Sequence, residues 1–357
     1  MFQNPFTPAE TRSLLSRIGI TLAALALYRA AQWIPLPGLD LAALNQTASL
    51  NGMGSARTMT SIMALGVIPL LTVLIFAETA MSLSHRIRQW SETPDGRTFL
   101  WRGTVAGALV LAVLQGYGIA TALEAVPGLV IAPGSQFRTG TIVSFIGATA
   151  LILWLAGLIT RRGVGHGFWV IVAAAYADAV FQPLVIQLPL VSMGAMSVET
   201  YLTGLAAWFA ILAIAAAALT VLVEATPQRA APEEFVWIPL IAATAVSMLL
   251  SVMFVLQWTL APGPTGITER AASGLGLPMY ALACAAFVLF RRRSLSPGQR
   301  PNVPAAVPLV AMLVIFAGLQ ILFPHANRAL LLAGVAVMLI RANRPATNGS
   351  EGTPLAR

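Results

Sequence analysis

Long apolar runs alternate along this chain with short polar breaks that carry arginine. Windowed hydropathy and breaker residues predict ten membrane-crossing helices, at roughly 17–34, 58–81, 102–123, 139–159, 166–187, 202–223, 235–257, 276–290, 305–323 and 327–341. The run Ser61 to Ala80 is nearly unbroken, with Pro69 near its middle and a single carboxylate, Glu78, near its end. At about 1.5 Å per helical residue it fits a hydrocarbon core of roughly 30 Å. Its Val67-Ile68-Pro69-Leu70-Leu71 is answered downstream by Trp237-Ile238-Pro239-Leu240-Ile241. Related helices in two parts of one chain indicate a duplicated membrane protein. The eighth and tenth runs cover only roughly 22 Å as helices, so they must borrow flanking residues or sit in thinned bilayer. Ahead of the first run, Thr7-Pro8-Ala9-Glu10 reads as a capping box opening a short amphipathic helix along the membrane surface. No cleavable signal peptide is expected, because the first run lacks a small-residue cleavage site.

Composition sharpens this picture. Of 357 residues, 57% are apolar and 10% charged, against the roughly 45–50% apolar share of soluble domains. The net charge of +8 would suggest nucleic acid, but the arginines gather in short loops between apolar runs, so no nucleic-acid partner is expected. All 21 basic residues are arginine. A chain without lysine has no Walker phosphate loop, Schiff-base lysine or Ser-Lys dyad. The single Cys284 lies in an apolar run, and His85, His166 and His325 are scattered, so neither a metal site nor any other cofactor is expected. These residues point away from an enzyme.

Counting arginine across alternate loops, with the N-terminus placed in the cytoplasm, puts sixteen inside and four outside, with Arg29 in a span. Both termini are therefore expected in the cytoplasm. Five spans in each half force the second half to be inverted relative to the first, with a working site between them. The expected division is a cytoplasmic segment 1–16, a first half 17–187, an external hinge loop 188–201, a second half 202–341 and a tail 342–357. The stretch Ala42 to Arg57 is rich in small and polar residues. It reads either as a plain external loop or as a segment folded into the mouth between the halves, where irregular backbone is tolerable if it lines a cavity.

Four stretches, RIGITLAALALYRAAQWIPLPG, ARTMTSIMALGVIPLL, SETPDGRTFLWRGTVAGALVLAVLQGYGIATALE and LILWLAGLITRRGVGHG, run in the order and spacing of the first five helices of the SecY family, the protein-conducting channel of the bacterial plasma membrane. The resemblance is dense from about Arg17 to Gly167, continues in LTVLVEATPQR and WIPLIAAT, and rests on order and hydropathy after that. It implies an all-α polytopic membrane protein of ten transmembrane helices, two inverted five-helix halves forming a clamshell. It also implies a plug, a sideways gate to lipid and a waist closed by apolar side chains. Carried over by position, the pore ring falls on Val67, Leu71, Phe168, Val172, Ile241 and Leu332, the plug on Asn51, Gly52, Met53, Gly54 and Ser55, and a lateral-gate position on Glu78. Large apolar side chains at a constriction exclude water and ions while making no directional bonds that a passing polypeptide would have to break. A carboxylate within a span is costly and faces a cavity or a partner; Glu78 either polarises the gate seam or is a protonated or interfacial residue. Asp178 and Arg29 call for the same reading.

The resemblance implies polypeptide substrates, lipid contact and SecE-like and SecG-like companion subunits. It departs at the loops that dock the ribosome or the SecA motor in that family. Here these are only ATPQRAAPEE and RRRSLSPGQRPNVP, with Arg161 and Arg162 and the triplet Arg291, Arg292 and Arg293 as the remaining basic loop features. Docking of ribosome and SecA is therefore doubtful, and the expected function is a specialised channel that passes or inserts a restricted set of polypeptides. A small-solute transporter on a ten-helix inverted repeat and a non-conducting scaffold stay open as alternatives.

Overall fold

The computed structural model describes residues 14–40, 42–43, 60–225, 234–260, 278–290, 311, 315 and 332–337. Helix α1 spans Leu14–Ala31. Two prolines then hold the chain extended: Pro35 pairs with Ser61 and Leu39 with Val130 in isolated β-bridges, and the Leu36 amide donates to the Thr60 carbonyl at 2.9 Å. This strap ties the end of α1 both to the approach to the next helix and to a distant hairpin.

That next helix begins later than hydropathy predicts. Residues 60–67 form a string of turns, closed by Gly66 N–H to Met63 carbonyl and Ile68 N–H to Leu65 carbonyl bonds, and α2 is Ile68–Leu83. The physical reason is Pro69, which lacks an amide hydrogen and is accommodated in the first helical turn but not further inside. The apolar run is therefore a turn segment followed by a helix, where the sequence pattern predicted one helix over 58–81.

At Ser84 the backbone becomes extended and the chain turns by 115° into the short helix α3, His85–Glu92. Thr93 caps helix α4, Pro94–Glu124, through a 3.1 Å bond from the Gly96 amide, with proline at its first position. At 31 residues α4 is roughly 46 Å long, so it projects beyond the hydrocarbon core. It buries Thr104, Ala108, Ala112, Gly116 and Ala120, one residue every four. This small-residue stripe lets α5, Ser135–Arg162, approach closely; a Cβ on Gly116 would meet the Phe145 ring at 2.9 Å.

The α4–α5 hairpin is pinned by Glu124, which accepts from Arg138 Nε at 2.8 Å and from the Gly134 amide at 2.7 Å. Helices α6 (Gly167–Ser192), α7 (Val198–Ala225) and α8 (Glu234–Leu260) follow, then the apolar helix α9, Pro278–Phe290, and a helical stretch at 332–337. Helix α5 packs between α4 and α6, and α8 reaches across to α2. Eight of the ten predicted stretches thus coincide with helices; 305–323 and most of 327–341 lie outside the described residues, as do residues 1–13.

Among the described residues, Pro94–Glu124, Ser135–Arg162 and Val198–Val221 are long and apolar enough to cross a membrane, with α2 and α3 making up to a fourth if taken as one bent span. The outward side chains suit lipid: Val110, Leu114, Val143, Trp154, Phe209, Ile214 and Val252 are exposed. Among the described residues the interior falls into three apolar clusters, and the largest joins α1, α2, α4, α5, α6, α8 and the 332–337 stretch.

Candidate pore constriction

Five of the six residues expected at the ring lie in the largest cluster. Val67 caps the start of α2 and Leu71 lies one turn further on; both are buried. Phe168 and Val172 are one turn apart in the first two turns of α6, and Ile241 lies in the second turn of α8. All five share one buried apolar cluster, so three helices that are remote in sequence present the same kind of side chain to one another. Leu332 is half-buried, and the residue of its stretch that joins the cluster is Val335. The predicted plug, Asn51, Gly52, Met53, Gly54 and Ser55, lies outside the described residues.

The start of α6 is aimed by the loop before it. Gly163 caps α5 through a 2.7 Å bond from its amide to the Ile159 carbonyl, and its own carbonyl accepts from Arg17 Nε at 2.9 Å. The Val164 amide donates to Thr21 Oγ1 at 2.9 Å, and the Gly167 amide to Thr160 Oγ1 at 2.8 Å. Gly167 sits so close to α5 that a Cβ there would run into the Ala156 carbonyl oxygen. Helices α1 and α5 thus both hold the loop that leads into α6, and Phe168 follows it as a buried side chain. Arg161 and Arg162 are exposed in the last turn of α5, where cations suit the helix dipole.

Glu78 is buried, seven residues beyond Leu71 and therefore on the same side of α2, and Ser82 one turn further is buried as well. The inner face of α2 thus changes from apolar to polar toward its C-terminal end. Arg29 is at the surface end of α1, donating to Gln32 Oε1 at 2.8 Å. Asp178 lies in the part of α6 whose side chains are outside the described residues, and Arg291, Arg292 and Arg293 are outside them too.

Two side chains in the cluster were not anticipated. Trp169 and Trp237 are each 1% exposed and pack edge to face, with ring centroids 4.9 Å apart. Trp169 follows Phe168, while Trp237 stands one turn before Ile241. A signal was available in the sequence, since the internal repeat sets Trp237 opposite Val67 and Ile241 opposite Leu71.

By fold, the chain falls in the class of α-helical membrane proteins that includes protein-conducting channels. A solved structure of a protein-conducting channel superposes with a TM-score of 0.61 at 11% identity, covering 95% of this chain and 94% of that one. Sec61 in the canine ribosome–channel complex from the endoplasmic reticulum gives 0.51 at 13% identity, covering 95% and 93%. The SecY family model matches residues 61–325, and the chain belongs to the SecY family. The protein translocase subunit SecY of Escherichia coli (strain K12) is 34% identical over 175 residues, 45% of this chain and 40% of that protein. That of Rickettsia typhi is 30% identical over 213 residues, 55% and 49% respectively. The alignments therefore cover no more than about half the length of these curated relatives.

Proposed function

We propose that this protein is a polypeptide-conducting channel of the SecY kind, two inverted five-helix halves enclosing a dry waist, in the plasma membrane of a bacterium with both termini in the cytoplasm. One observation carries the reading: Val67, Leu71, Phe168, Val172 and Ile241, from three helices, converge in a single buried apolar cluster. A constriction of that chemistry holds back water and ions and yields to a chain without breaking directional bonds. Residues 17–187 and 202–341 would form the halves, 188–201 the hinge and 42–57 the plug, and the tenth-helix contribution to the ring would come from Leu332 or its neighbour Val335.

The test is conductance of the purified protein in planar bilayers after deletion of residues 42–57. A channel conducts when the plug is removed, whereas a scaffold stays silent. Uptake of small solutes by the intact protein would favour a transporter instead.

The substrates would be a restricted set of polypeptides, and SecE-like and SecG-like subunits would brace the helices. The docking loops are short in sequence, ATPQRAAPEE carrying one arginine against two glutamates, so purified protein is expected to bind neither ribosomes nor SecA with sub-micromolar affinity; a complex of that strength with either would contradict the specialised reading. Glu78 would polarise the gate seam on the same side of α2 as the ring. Replacing it by leucine should slow polypeptide passage while leaving the protein folded, and unchanged passage would reduce Glu78 to a structural residue.

A further inference from the structure

Indole N–H groups are donors only, and a buried one normally finds an acceptor. Neither Trp169 Nε1 nor Trp237 Nε1 has a hydrogen-bond partner among the described residues, although both are shielded from solvent. Each is edge to face with an aromatic neighbour, Phe168 with Trp169 at 5.1 Å and Trp169 with Trp237 at 4.9 Å between centroids, so their apolar surfaces are satisfied and their polar atoms are not. Both lie in the same cluster as the ring. On α6, Trp169 is three residues from Val172; on α8, Trp237 is four from Ile241. In each case helical spacing puts the indole beside a ring side chain. For Trp237 the internal repeat gives the same placement, since it matches Trp237 to Val67.

We propose that Trp169 and Trp237 form a contact site for the main-chain carbonyls of a polypeptide in the pore. This inference rests on the channel reading above. While the waist is closed, the two indoles pack edge to face across α6 and α8 and leave two donors idle. When the helices part, the donors face the path of the chain. A polypeptide presents one carbonyl acceptor per residue whatever its side chains, so the site recognises backbone and suits substrates of varied sequence. It also lowers the cost of opening, because separation exchanges idle donors for bonded ones.

The test uses the full chain lacking residues 42–57, in planar bilayers, with a synthetic unstructured Gly-Ser polypeptide as probe, since that probe offers mostly backbone to bind. The measured quantity is the dwell time of the current block. Trp169→Phe with Trp237→Phe keeps the aromatic contact and removes both donors. It should shorten the dwell about fivefold or more, in line with two hydrogen bonds of ordinary net strength, with the unblocked conductance retained. Each single change should give an intermediate dwell, and Trp154→Phe, at an exposed outer position, should give none of the effect. Dwell times unchanged in the double variant would overturn the site while leaving the channel standing. Failure of the parent deletion protein to conduct would overturn the channel reading itself, and the site with it.

Discussion

Replacing Ile241 with asparagine should make the resting protein leak ions. Ile241 is 2% exposed and shares its cluster with Val67, Leu71, Phe168 and Val172. In a dry waist an amide without partners costs about 1–3 kcal/mol, and the cost is relieved when water enters. The closed, dry state is thereby disfavoured on the order of tenfold, the factor that about 1.4 kcal/mol represents. Single-channel recording in planar bilayers should show a rise in resting open probability of that order. Val252→Asn, on the same helix but exposed on the outside, should leave the baseline flat. A silent Ile241→Asn protein would mean that the apolar cluster is packing and not a seal.

Gly167→Ala, a single methyl added at the first residue of α6, should be strongly destabilising. The added carbon has nowhere to go: it meets the backbone oxygen of Ala156 and the Ile159 side chain, and backbone cannot swing aside as a rotamer does. Overpacking of this kind costs about 3 kcal/mol. The displacement would also strain the Gly167 to Thr160 bond of 2.8 Å just ahead of Phe168. Gly157→Ala, within α5 where nothing lies within 4 Å of the new carbon, should be neutral or mildly stabilising because alanine is the better helix former. Thermal unfolding in detergent should therefore move in opposite directions for two glycine-to-alanine changes ten residues apart. Equal midpoints would contradict the close approach of α5 and α6.

Helices of this protein were legible because a bilayer demands long apolar runs, and the motifs around Val67, Phe168 and Ile241 picked out five residues that share one buried apolar cluster. What hydropathy could not supply was where a helix begins. A window over 58–81 averages the turns of residues 60–67 with the helix that follows and passes over the constraint imposed by Pro69. Nor does it register that α4 starts at Pro94, since Thr93 and Pro94 cap a helix whose first turns lie beyond the apolar core. The stripe Ala108, Ala112, Gly116 and Ala120 was missed for another reason: small residues contribute little to hydropathy, and their importance lies in how near they let α5 come. Glu124 and Arg138 are separated by a loop in the sequence, where nothing pairs them, yet their 2.6 Å ion pair holds that hairpin together. The tryptophan pair was hidden because Trp169 and Trp237 are 68 positions apart and only the packing of α6 against α8 brings them together.

The most direct test of the conducting waist is photocrosslinking in living cells from a light-activated residue placed at position 67 or 168. If polypeptides pass between α2 and α6, both positions should capture a polypeptide other than the chain's own subunits, and an equivalent residue at exposed Val143 should capture none. Labelling at 67 and 168 that yields only lipid or the protein itself would contradict the account.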